Sequence, residues 1–273
     1  MGGGRGIAVI TGGARGIGFA IARQLGSEGY RIVVADVDAA GAEQAAAALG
    51  RGAVGRALDV RDHAAFGGLV RSIEADLGPI AVLVNNAGIM PVGALTEQSV
   101  EMDKRQIDIN VHGVIAGMRA VLPQMRARDR GHIVNIASVA GRIGCANAAV
   151  YSATKHAVIG LTEAVRYELD GTAVRVSYVC PALVRTELIA GAPGPRWPPP
   201  VAPEDVARAV SRCIRTGRVD VYVPRIARIS AILPALLPRR AVEGIGRLLG
   251  LDQMFSHVDD TKRAAYRARM QAD

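Results

Sequence analysis

Residues 6–18 read GIAVITGGARGIG, an apolar run that leads directly into a glycine-rich turn. The next residues, FAIARQLGSEG, follow a helical pattern. A strand that turns sharply into a helix needs residues without a Cβ, and Gly12, Gly16 and Gly18 supply them. Free N–H groups and the dipole at the start of such a helix favour an anion such as a pyrophosphate. The spacing GxxxGxG departs from the common GxGxxG fingerprint, so an ordinary tight turn stays an alternative.

Further apolar runs recur along the chain, with helical segments between them. The clear runs are residues 31–35, 80–84, 131–136 and 174–179, and weaker ones are 54–58 and 219–223. Continuous apolarity is typical of parallel strands that are covered on both faces. Between the strands, apolar residues in 111–125 and 158–169 follow steps of three and four, as amphipathic helices require. The alternation predicts an α/β fold: one doubly wound (Rossmann) parallel sheet of about seven strands, with ligands beyond the carboxyl ends of the strands.

Composition limits the classes of partner and compartment. The chain has 273 residues, 50% of them hydrophobic, which suits a globular protein with a full core. Its net charge is +8, but aromatic residues make up only 4% and no nucleic-acid-binding motif occurs, so no nucleic acid partner is expected. Without a long apolar run or a secretory leader, a cytoplasmic location is expected. Cys145, Cys180 and Cys213 lack CxxC spacing, so neither a disulfide framework nor a metal site is predicted.

An acidic residue follows the glycine turn at an informative distance. Asp36 ends the second predicted strand, 18 residues after Gly18. A carboxylate there can accept hydrogen bonds from an adenosine ribose and would repel a phosphate. This favours NAD over NADP, although Arg15 offers a cation that softens the preference. Alternatively, Asp36 caps the next helix.

A tyrosine and a lysine lie one helical turn apart at Tyr151 and Lys155. At this spacing both side chains share one face of a helix. A phenol with a pKa near 10 is a poor base at neutral pH, and a neighbouring ammonium is expected to lower that pKa. Ser138 follows the strand GHIVNI, so its hydroxyl is predicted to lie at the carboxyl edge of the sheet.

Taken together and in this order, the motifs resemble those of the short-chain dehydrogenase/reductase family, in particular its NAD-preferring subgroup with TGxxxGxG and YxxxK motifs. The matching segments are TGGARGIG at 11–18, Asp59-Val60, Asn85-Asn86-Ala87-Gly88, Asn110, Ser138, Tyr151, Lys155 and PALVRT at 181–186. In the last segment Ala182 replaces the family's glycine. Asn110 falls in a helix that is predicted to begin near Lys104. The resemblance covers residues 6 to about 188.

The resemblance implies a role for each matching residue. The cofactor contacts it implies are Gly12, Arg15, Gly16, Ile17 and Gly18 at the pyrophosphate side, Asp36 at the ribose, Asp59 and Val60 at the adenine, Asn86, Ala87 and Gly88 in the groove, and Val184 and Thr186 at the nicotinamide carboxamide. Tyr151 is the implied general acid and base. Lys155 would lower the pKa of Tyr151 and bind the nicotinamide ribose. Ser138 would orient the substrate oxygen, and Asn110 would anchor a water.

The activity that the resemblance implies is NAD(H)-dependent interconversion of a secondary alcohol and a ketone, or of a primary alcohol and an aldehyde, on a lipophilic small molecule. An acyl-carrier-protein ketoreductase is an enzymatic alternative that suits the positive charge. A non-catalytic NAD-binding sensor or membrane adaptor is an alternative of another class. Family members usually form homodimers or homotetramers, and the helices near 104–128 and 151–169 are the expected contacts.

The carboxyl-terminal part departs from the family pattern. Residues 1–225 are predicted to form the catalytic domain, with a proline-rich substrate loop at about 187–203, and 226–273 to form an extension. Within 226–251, apolar residues at helical spacing lie beside several arginines. The extension is interpreted as a lid over the pocket or an oligomer contact, as a membrane-surface helix, or as a flexible tail.

Overall fold

One parallel sheet organises the molecule. The computed structural model describes residues 5–194, 199–251, 253–256 and 258–271. Its strands are β1 (Ile7–Thr11), β2 (Arg31–Asp36), β3 (Val54–Ala57), β4 (Ile80–Asn85), β5 (Gly131–Ile136), β6 (Val174–Pro181) and β7 (Asp220–Val223). They pair in the order β3-β2-β1-β4-β5-β6-β7, and every pairing is parallel. The predicted doubly wound sheet is confirmed.

Helices connect the strands and cover both faces of the sheet. They are α1 (Gly16–Ser27), α2 (Ala39–Leu49), α3 (His63–Asp76), α4 (Val100–Ile107), α5 (Gly113–Ala127), α6 (Ala149–Glu168), α7 (Pro203–Thr216), α8 (Ile229–Leu236), α9 (Arg239–Leu248) and α10 (Asp260–Gln271). One core packs α3, α5 and α6 on the sheet, and a second core packs α1, α2 and α7 on the other face. Successive strand residues point to opposite faces, so Ala8 and Val9 belong to different cores.

The helix that carries Asn110 differs from the prediction. It begins at Val100 rather than near Lys104, because the Ser99 side chain accepts a hydrogen bond from the Met102 amide at 3.2 Å and caps it. Between α4 and α5, residues Asp108–His112 form a π-helical turn that contains Asn110. Such wider turns occur frequently at functional sites.

The carboxyl-terminal region is helical. Residues after β7 form α8, α9 and α10, so the interpretation as a flexible tail is wrong for the described part. No helix among the described residues is both long and apolar enough to cross a bilayer. The predicted substrate loop at about 187–203 ends where α7 begins, at Pro203. Residues 195–198 of that loop lie outside the described residues.

Two buried asparagines join the central strands below the cleft edge. Asn85 and Asn135 are register partners on β4 and β5, and Asn85 Nδ2 donates to Asn135 Oδ1 at 2.9 Å. Asn135 Nδ2 in turn donates to Thr162 Oγ1 of α6 at 2.9 Å. A Cβ on Gly117 of α5 would lie 2.3 Å from Asn85 Oδ1, so the helix approaches the amide this closely only without a side chain. This polar chain fixes β4, β5 and α6 against one another.

Candidate active site

A cleft of about 1200 Å³ lies along the carboxyl ends of the strands, where a doubly wound sheet places its ligands. All the predicted site residues line it except Gly18 and Asn110, which lie behind its wall. Among the described residues, no group of three or more histidine, cysteine, aspartate or glutamate side chains is arranged to hold a metal ion.

The glycine turn between β1 and α1 has the geometry that its sequence requires. Gly12 and Gly16 have positive φ angles of 61° and 53°, which favour residues without a Cβ. A Cβ on Gly18 would lie 2.1 Å from the Gly12 carbonyl oxygen. Gly18 therefore allows α1 to pack tightly on the turn.

A threonine that sequence reasoning did not select ties this turn to the end of β4. The buried Thr11 hydroxyl accepts hydrogen bonds from the amides of Asn86 and Ala87, at 3.0 and 3.1 Å. Asn86 Nδ2 donates back to the carbonyls of Thr11 and Gly12, at 3.0 and 2.9 Å. Thr11 opens the TGGARGIG motif, and that position was the available signal. The two loops form one rigid unit.

Asp36 lies at the end of β2 beside the glycine turn. Its carboxylate accepts hydrogen bonds from the amide of Ala14 at 3.0 Å and from that of Asp38 at 3.2 Å. The interpretation of Asp36 as a helix cap is wrong, since Asp38 caps α2 by accepting from the Gly41 amide at 2.9 Å. Arg15 forms an ion pair with Asp38. Asp36 thus lines the cleft with its carboxylate beside the amino end of α1.

The predicted adenine contacts follow β3. Asp59 lies two residues beyond the end of this strand, and Arg61 pairs with its carboxylate at 2.6 Å. Burial opposes ionisation of Asp59, but the hydrogen bonds and charge of Arg61 outweigh it, so the pKa of this carboxyl is lowered. Val60 is buried, and its side chain lies so close to Gly113 of α5 that a Cβ there would be 2.7 Å away. The two residues form one wall of the cleft.

Ser138, Tyr151 and Lys155 converge in the middle of the cleft. Ser138 lies two residues after the end of β5, and its hydroxyl accepts a hydrogen bond from the Ala140 amide at 3.1 Å. Tyr151 and Lys155 belong to the first turns of α6, and Lys155 Nζ lies 5.6 Å from the centre of the Tyr151 ring. Lys155 Nζ also donates to the Ile136 carbonyl at 2.8 Å. The structure therefore brings the three residues together as predicted.

Burial dominates the acid–base properties of this group. The pKa of Tyr151 is raised because burial disfavours the phenolate, while a hydrogen bond with Ser138 works in the opposite direction. Burial lowers the pKa of Lys155 to about 8. The expectation of a lowered pKa for Tyr151 is therefore not met, because burial of the phenol outweighs the hydrogen bond with Ser138. At neutral pH the phenol holds its proton.

The side chain of Asn110 holds the loop after β4 through hydrogen bonds to Ile89. Its side chain is fully buried, and Oδ1 accepts from the Ile89 amide at 2.9 Å. Nδ2 donates to the Ile89 carbonyl at 2.9 Å and to Thr154 Oγ1 at 3.1 Å. Gly88 packs on this amide, because a Cβ there would lie 3.1 Å from Asn110 Oδ1. The side chain thus links the π-helical turn, α6 and the loop that borders the cleft.

The loop after β6 crosses the cleft toward the glycine turn. Val184 is buried and forms a parallel bridge with Val201. The Thr186 side chain lies 3.5 Å from the position that a Cβ on Gly16 would occupy. Ala182 is not among the residues with a positive φ, so the alanine in place of the family's glycine fits without backbone strain.

A further wall of the cleft, whose individual residues sequence reasoning did not single out, comes from the residues after α9. Met254 and Phe255 pack in one apolar cluster with Tyr151. Tyr266 and Met270 of α10 are also buried and line the cleft. Their spacing of four residues in a segment rich in charged residues was the only sequence signal, and it is a weak one.

Comparisons with known proteins agree with this geometry. A family model described as short chain dehydrogenase matches residues 6–193. Galactitol 2-dehydrogenase of Agrobacterium fabrum is 37% identical over 218 residues, which are 78% of this chain and 84% of that protein. A 3-alpha-(or 20-beta)-hydroxysteroid dehydrogenase of Mycobacterium bovis is 36% identical over 182 residues, 67% of this chain and 70% of that protein. A putative ketoacyl reductase of Streptomyces coelicolor is 40% identical over 189 residues, 67% of this chain and 72% of that protein.

Solved structures show the same fold. A short-chain dehydrogenase/reductase from Burkholderia phymatum, in complex with NAD, superimposes with a TM-score of 0.78 at 29% identity, covering 88% of this chain and 94% of that one. The apo form of LigD from Sphingobium sp. strain SYK-6 gives a TM-score of 0.73 at 33% identity, covering 85% and 97%. The chain belongs to the short-chain dehydrogenase/reductase family of oxidoreductases.

Proposed function

We propose that the chain is an NAD(H)-dependent oxidoreductase that interconverts a secondary alcohol and a ketone, or a primary alcohol and an aldehyde, on a lipophilic small molecule. The observation that carries the proposal is that Ser138, Tyr151 and Lys155 converge in the same cleft that Asp36 lines beside the glycine turn. A proton-transferring group and a dinucleotide site therefore share one space, as hydride transfer requires.

The residues at the other end of the cleft suit NAD. Amides at the start of α1 are donors suited to a pyrophosphate. Gly12 and Gly16, which have positive φ angles and no Cβ, leave room for it. The Asp36 carboxylate would accept hydrogen bonds from the adenosine ribose and repel a 2′-phosphate. Arg15 is already paired with Asp38, which reduces the cation available to such a phosphate. The NAD found in the Burkholderia phymatum relative supports the assignment.

The remaining contacts follow the positions of the lining residues. We assign Ile17 and Gly18 to the pyrophosphate side, directly or through packing, and Asp59 and Val60 to the adenine. Asn86, Ala87 and Gly88 would border the groove, and Val184 and Thr186 would meet the carboxamide. Bound NAD supplies the hydride acceptor for the alcohol.

The protein's own groups move the proton. Tyr151 Oη would take the hydroxyl proton of the alcohol and return it to a ketone in the reverse direction. Its raised pKa means that ionisation needs positive charge nearby, which Lys155 Nζ supplies when protonated. Ser138 Oγ would orient the substrate oxygen. Asn110, in its π-helical turn, would anchor a water for proton relay.

A single substitution tests the proposal against the sensor alternative. Tyr151→Phe should abolish NAD-dependent oxidation of apolar secondary alcohols while NAD binding, measured by thermal stabilisation, persists. Tyr167→Phe is the matched control, because Tyr167 lies on the same helix and its side chain is exposed. Wild-type protein that binds NAD but oxidises no alcohol and reduces no ketone would favour a non-catalytic sensor.

Reduction of a 3-ketoacyl thioester on an acyl carrier protein is the second candidate. The likeness to the putative ketoacyl reductase supports it, and the net charge of +8 suits an acidic carrier. Asp36 argues against it, since a carboxylate at the ribose disfavours NADPH. Faster turnover of an acetoacetyl thioester with NADPH than of any free alcohol with NAD would select this candidate.

We propose that residues 1–225 are the catalytic domain and that 226–273 cover its cleft. Leu233 of α8 and Val242 of α9 line the cleft, which supports a lid. The outer sides of these helices carry exposed Leu236 and Leu248 beside arginines, which supports peripheral contact of 226–251 with an anionic membrane. Co-sedimentation with phosphatidylglycerol vesicles, but not phosphatidylcholine vesicles, is the expected result for such a contact. A cytoplasmic location stays an expectation from the sequence.

We also propose a homodimer or homotetramer. The family habit implies contacts through the helices near 104–128 and 151–169. Exposed Val100 and Ile107 on α4 and Tyr167 on α6 provide apolar surface there. Light scattering after size-exclusion chromatography should give two or four times the monomer mass of 28.5 kDa.

A further inference from the structure

The last described helix closes the cleft beside the proposed catalytic tyrosine. Met254 and Phe255, in the segment before α10, share an apolar cluster with Tyr151. Tyr266 and Met270 on α10 are buried, and both line the same cleft. Aromatic and thioether groups thus face the place where a substrate would meet Tyr151.

A buried arginine fastens α10 to two loops. Arg263 is fully buried, and its Nη2 donates to the Met90 carbonyl at 2.5 Å. Its Nη1 donates to the carbonyls of Leu188 and Ala190, at 2.7 and 3.4 Å. A buried guanidinium is costly unless its protons are bonded, so these carbonyls and the helix are held together. Arg263 also lies over the Tyr266 ring, 4.9 Å from its centre.

The two loops are those that border the proposed nicotinamide end of the cleft. Met90 comes two residues after Gly88, and Leu188 comes two residues after Thr186. The amide of Met90 donates to the Tyr266 hydroxyl at 2.9 Å, so α10 binds both main-chain polar groups of Met90. A movement of α10 would therefore move the loop after β4 and the loop after β6 together.

Two further contacts hold the loop after β6 in this closed position. The amide of Asp259 donates to the Gly191 carbonyl at 2.9 Å. Gly191 has a φ of 75°, and a Cβ there would lie 2.3 Å from the Asp259 carbonyl oxygen, so only glycine permits this approach. Arg269 of α10 forms an ion pair with Glu187.

We propose that the buried side chains of residues 253–256 and of α10 form the outer wall of the substrate site and select a bulky apolar alcohol or ketone over a small polyol, with Arg263 as the positioning residue that holds the wall closed. This inference rests on the proposed oxidoreductase function. Binding of a bulky hydrocarbon is favourable here, because it removes the apolar surface of both wall and ligand from water. The flexible side chains of Met254 and Met270 can adapt to the shape of the ligand. A polyol would lose water at this wall and gain few partners, because Met254, Phe255 and Met270 carry no N–H or O–H group on their side chains.

Matched pairs of variants test the wall and its anchor. Met270→Glu places a charge on the buried side of α10, and Ala268→Glu places the same charge on its exposed side. Arg263→Gln removes the buried cation, and Lys262→Gln removes its exposed neighbour. Arg263→Lys keeps the charge but not the fork of donors, so it should restore only part of any loss.

Kinetics with 2-decalol and with 2,3-butanediol at saturating NAD give the first measurement. Wild-type protein should favour 2-decalol by about 100-fold in kcat/KM. Met270→Glu and Arg263→Gln should raise KM for 2-decalol by about tenfold, with kcat within about threefold, because Tyr151, Ser138 and Lys155 are unchanged. The two control variants should stay within about twofold of wild type. A wild-type preference for the diol, or equal effects of the paired variants, would overturn the proposal.

Calorimetric binding of 2-decalone in the presence of NADH gives a measurement that needs no turnover. Suppose that the wild-type protein shows no turnover but binds 2-decalone, and that Met270→Glu and Arg263→Gln bind it more weakly than their control variants. This result would refute the proposed function and support the wall. Failure of wild-type protein to bind 2-decalone would refute the wall. If Arg263→Gln does not fold, as judged by lost NAD binding, Met270→Glu against Ala268→Glu decides the question.

Discussion

Replacing Thr11 with valine tests whether the loops after β1 and β4 form one unit. Valine has nearly the shape of threonine but lacks the hydroxyl that accepts hydrogen bonds from the Asn86 and Ala87 amides, at 3.0 and 3.1 Å. A buried amide left without a partner costs about 1–3 kcal/mol. Asn86 and Ala87 are partly exposed, so water can partly replace the lost hydroxyl and the cost for each amide is near the lower end of this range. We expect the free energy of unfolding to fall by about 2 kcal/mol in total.

For a chain of this length such a loss lowers the unfolding midpoint by about 4 °C, which differential scanning calorimetry resolves. NAD affinity should fall as well, because Asn86 then no longer holds the glycine turn in place. Thr11→Ser is the matched control: it keeps the hydroxyl and loses only a methyl group. If the valine variant matches the serine variant in both midpoint and NAD affinity, the two loops are not coupled through this hydroxyl.

Three other predictions follow from single side chains. Asp36→Asn should reduce the preference for NAD over NADP by about tenfold in paired binding titrations, and an unchanged ratio would contradict the role of its charge. Gly18→Ala should weaken NAD binding by about tenfold or more, since its Cβ would lie 2.1 Å from the Gly12 carbonyl oxygen; unaltered affinity in the same titration would show that α1 shifts freely. Burial, aided by the charge of Arg175, lowers the pKa of His132 from its ordinary value of 6.5 to about 4. The unfolded chain therefore binds an extra proton between these values, and stability should fall as pH drops through them, by at most about 1.4 kcal/mol per pH unit; urea unfolding of His132→Gln should show a shallower loss than wild type.

Much of the sheet and of the site could be predicted from local sequence. Continuous apolar runs marked the strands within one or two residues, because a strand buried on both faces has no polar positions to confuse the pattern. The motif residues needed only their order along the chain, since parallel strands bring their carboxyl ends to one edge. Tyr151, Lys155 and Ser138 meet there for this reason.

The sequence predictions that failed concern properties that depend on burial and on contacts between distant segments. The pKa of Tyr151 is governed by desolvation, which its spacing from Lys155 does not reveal. The cap of α2 is Asp38 rather than Asp36, because the helix begins at Ala39, three residues after the strand ends. Arg263 was hidden in a segment that reads as a charged end, yet it is fully buried through carbonyl partners more than 70 residues away. No local pattern encodes such partners.

The hydrogen bond between the side-chain amides of Asn85 and Asn135 has a consequence for recombining members of this fold. A slip of β5 by one residue against β4 would place Ile136 or Val134 opposite Asn85. The two side-chain amides would then lose each other as hydrogen-bond partners in an apolar interior. The pair therefore specifies the register of β4 and β5, and this register sets Ser138 level with the loop after β4. A chimera that imports β4 or β5 from a relative should therefore exchange both asparagines as a set, or its hybrid sheet will assemble with competing registers.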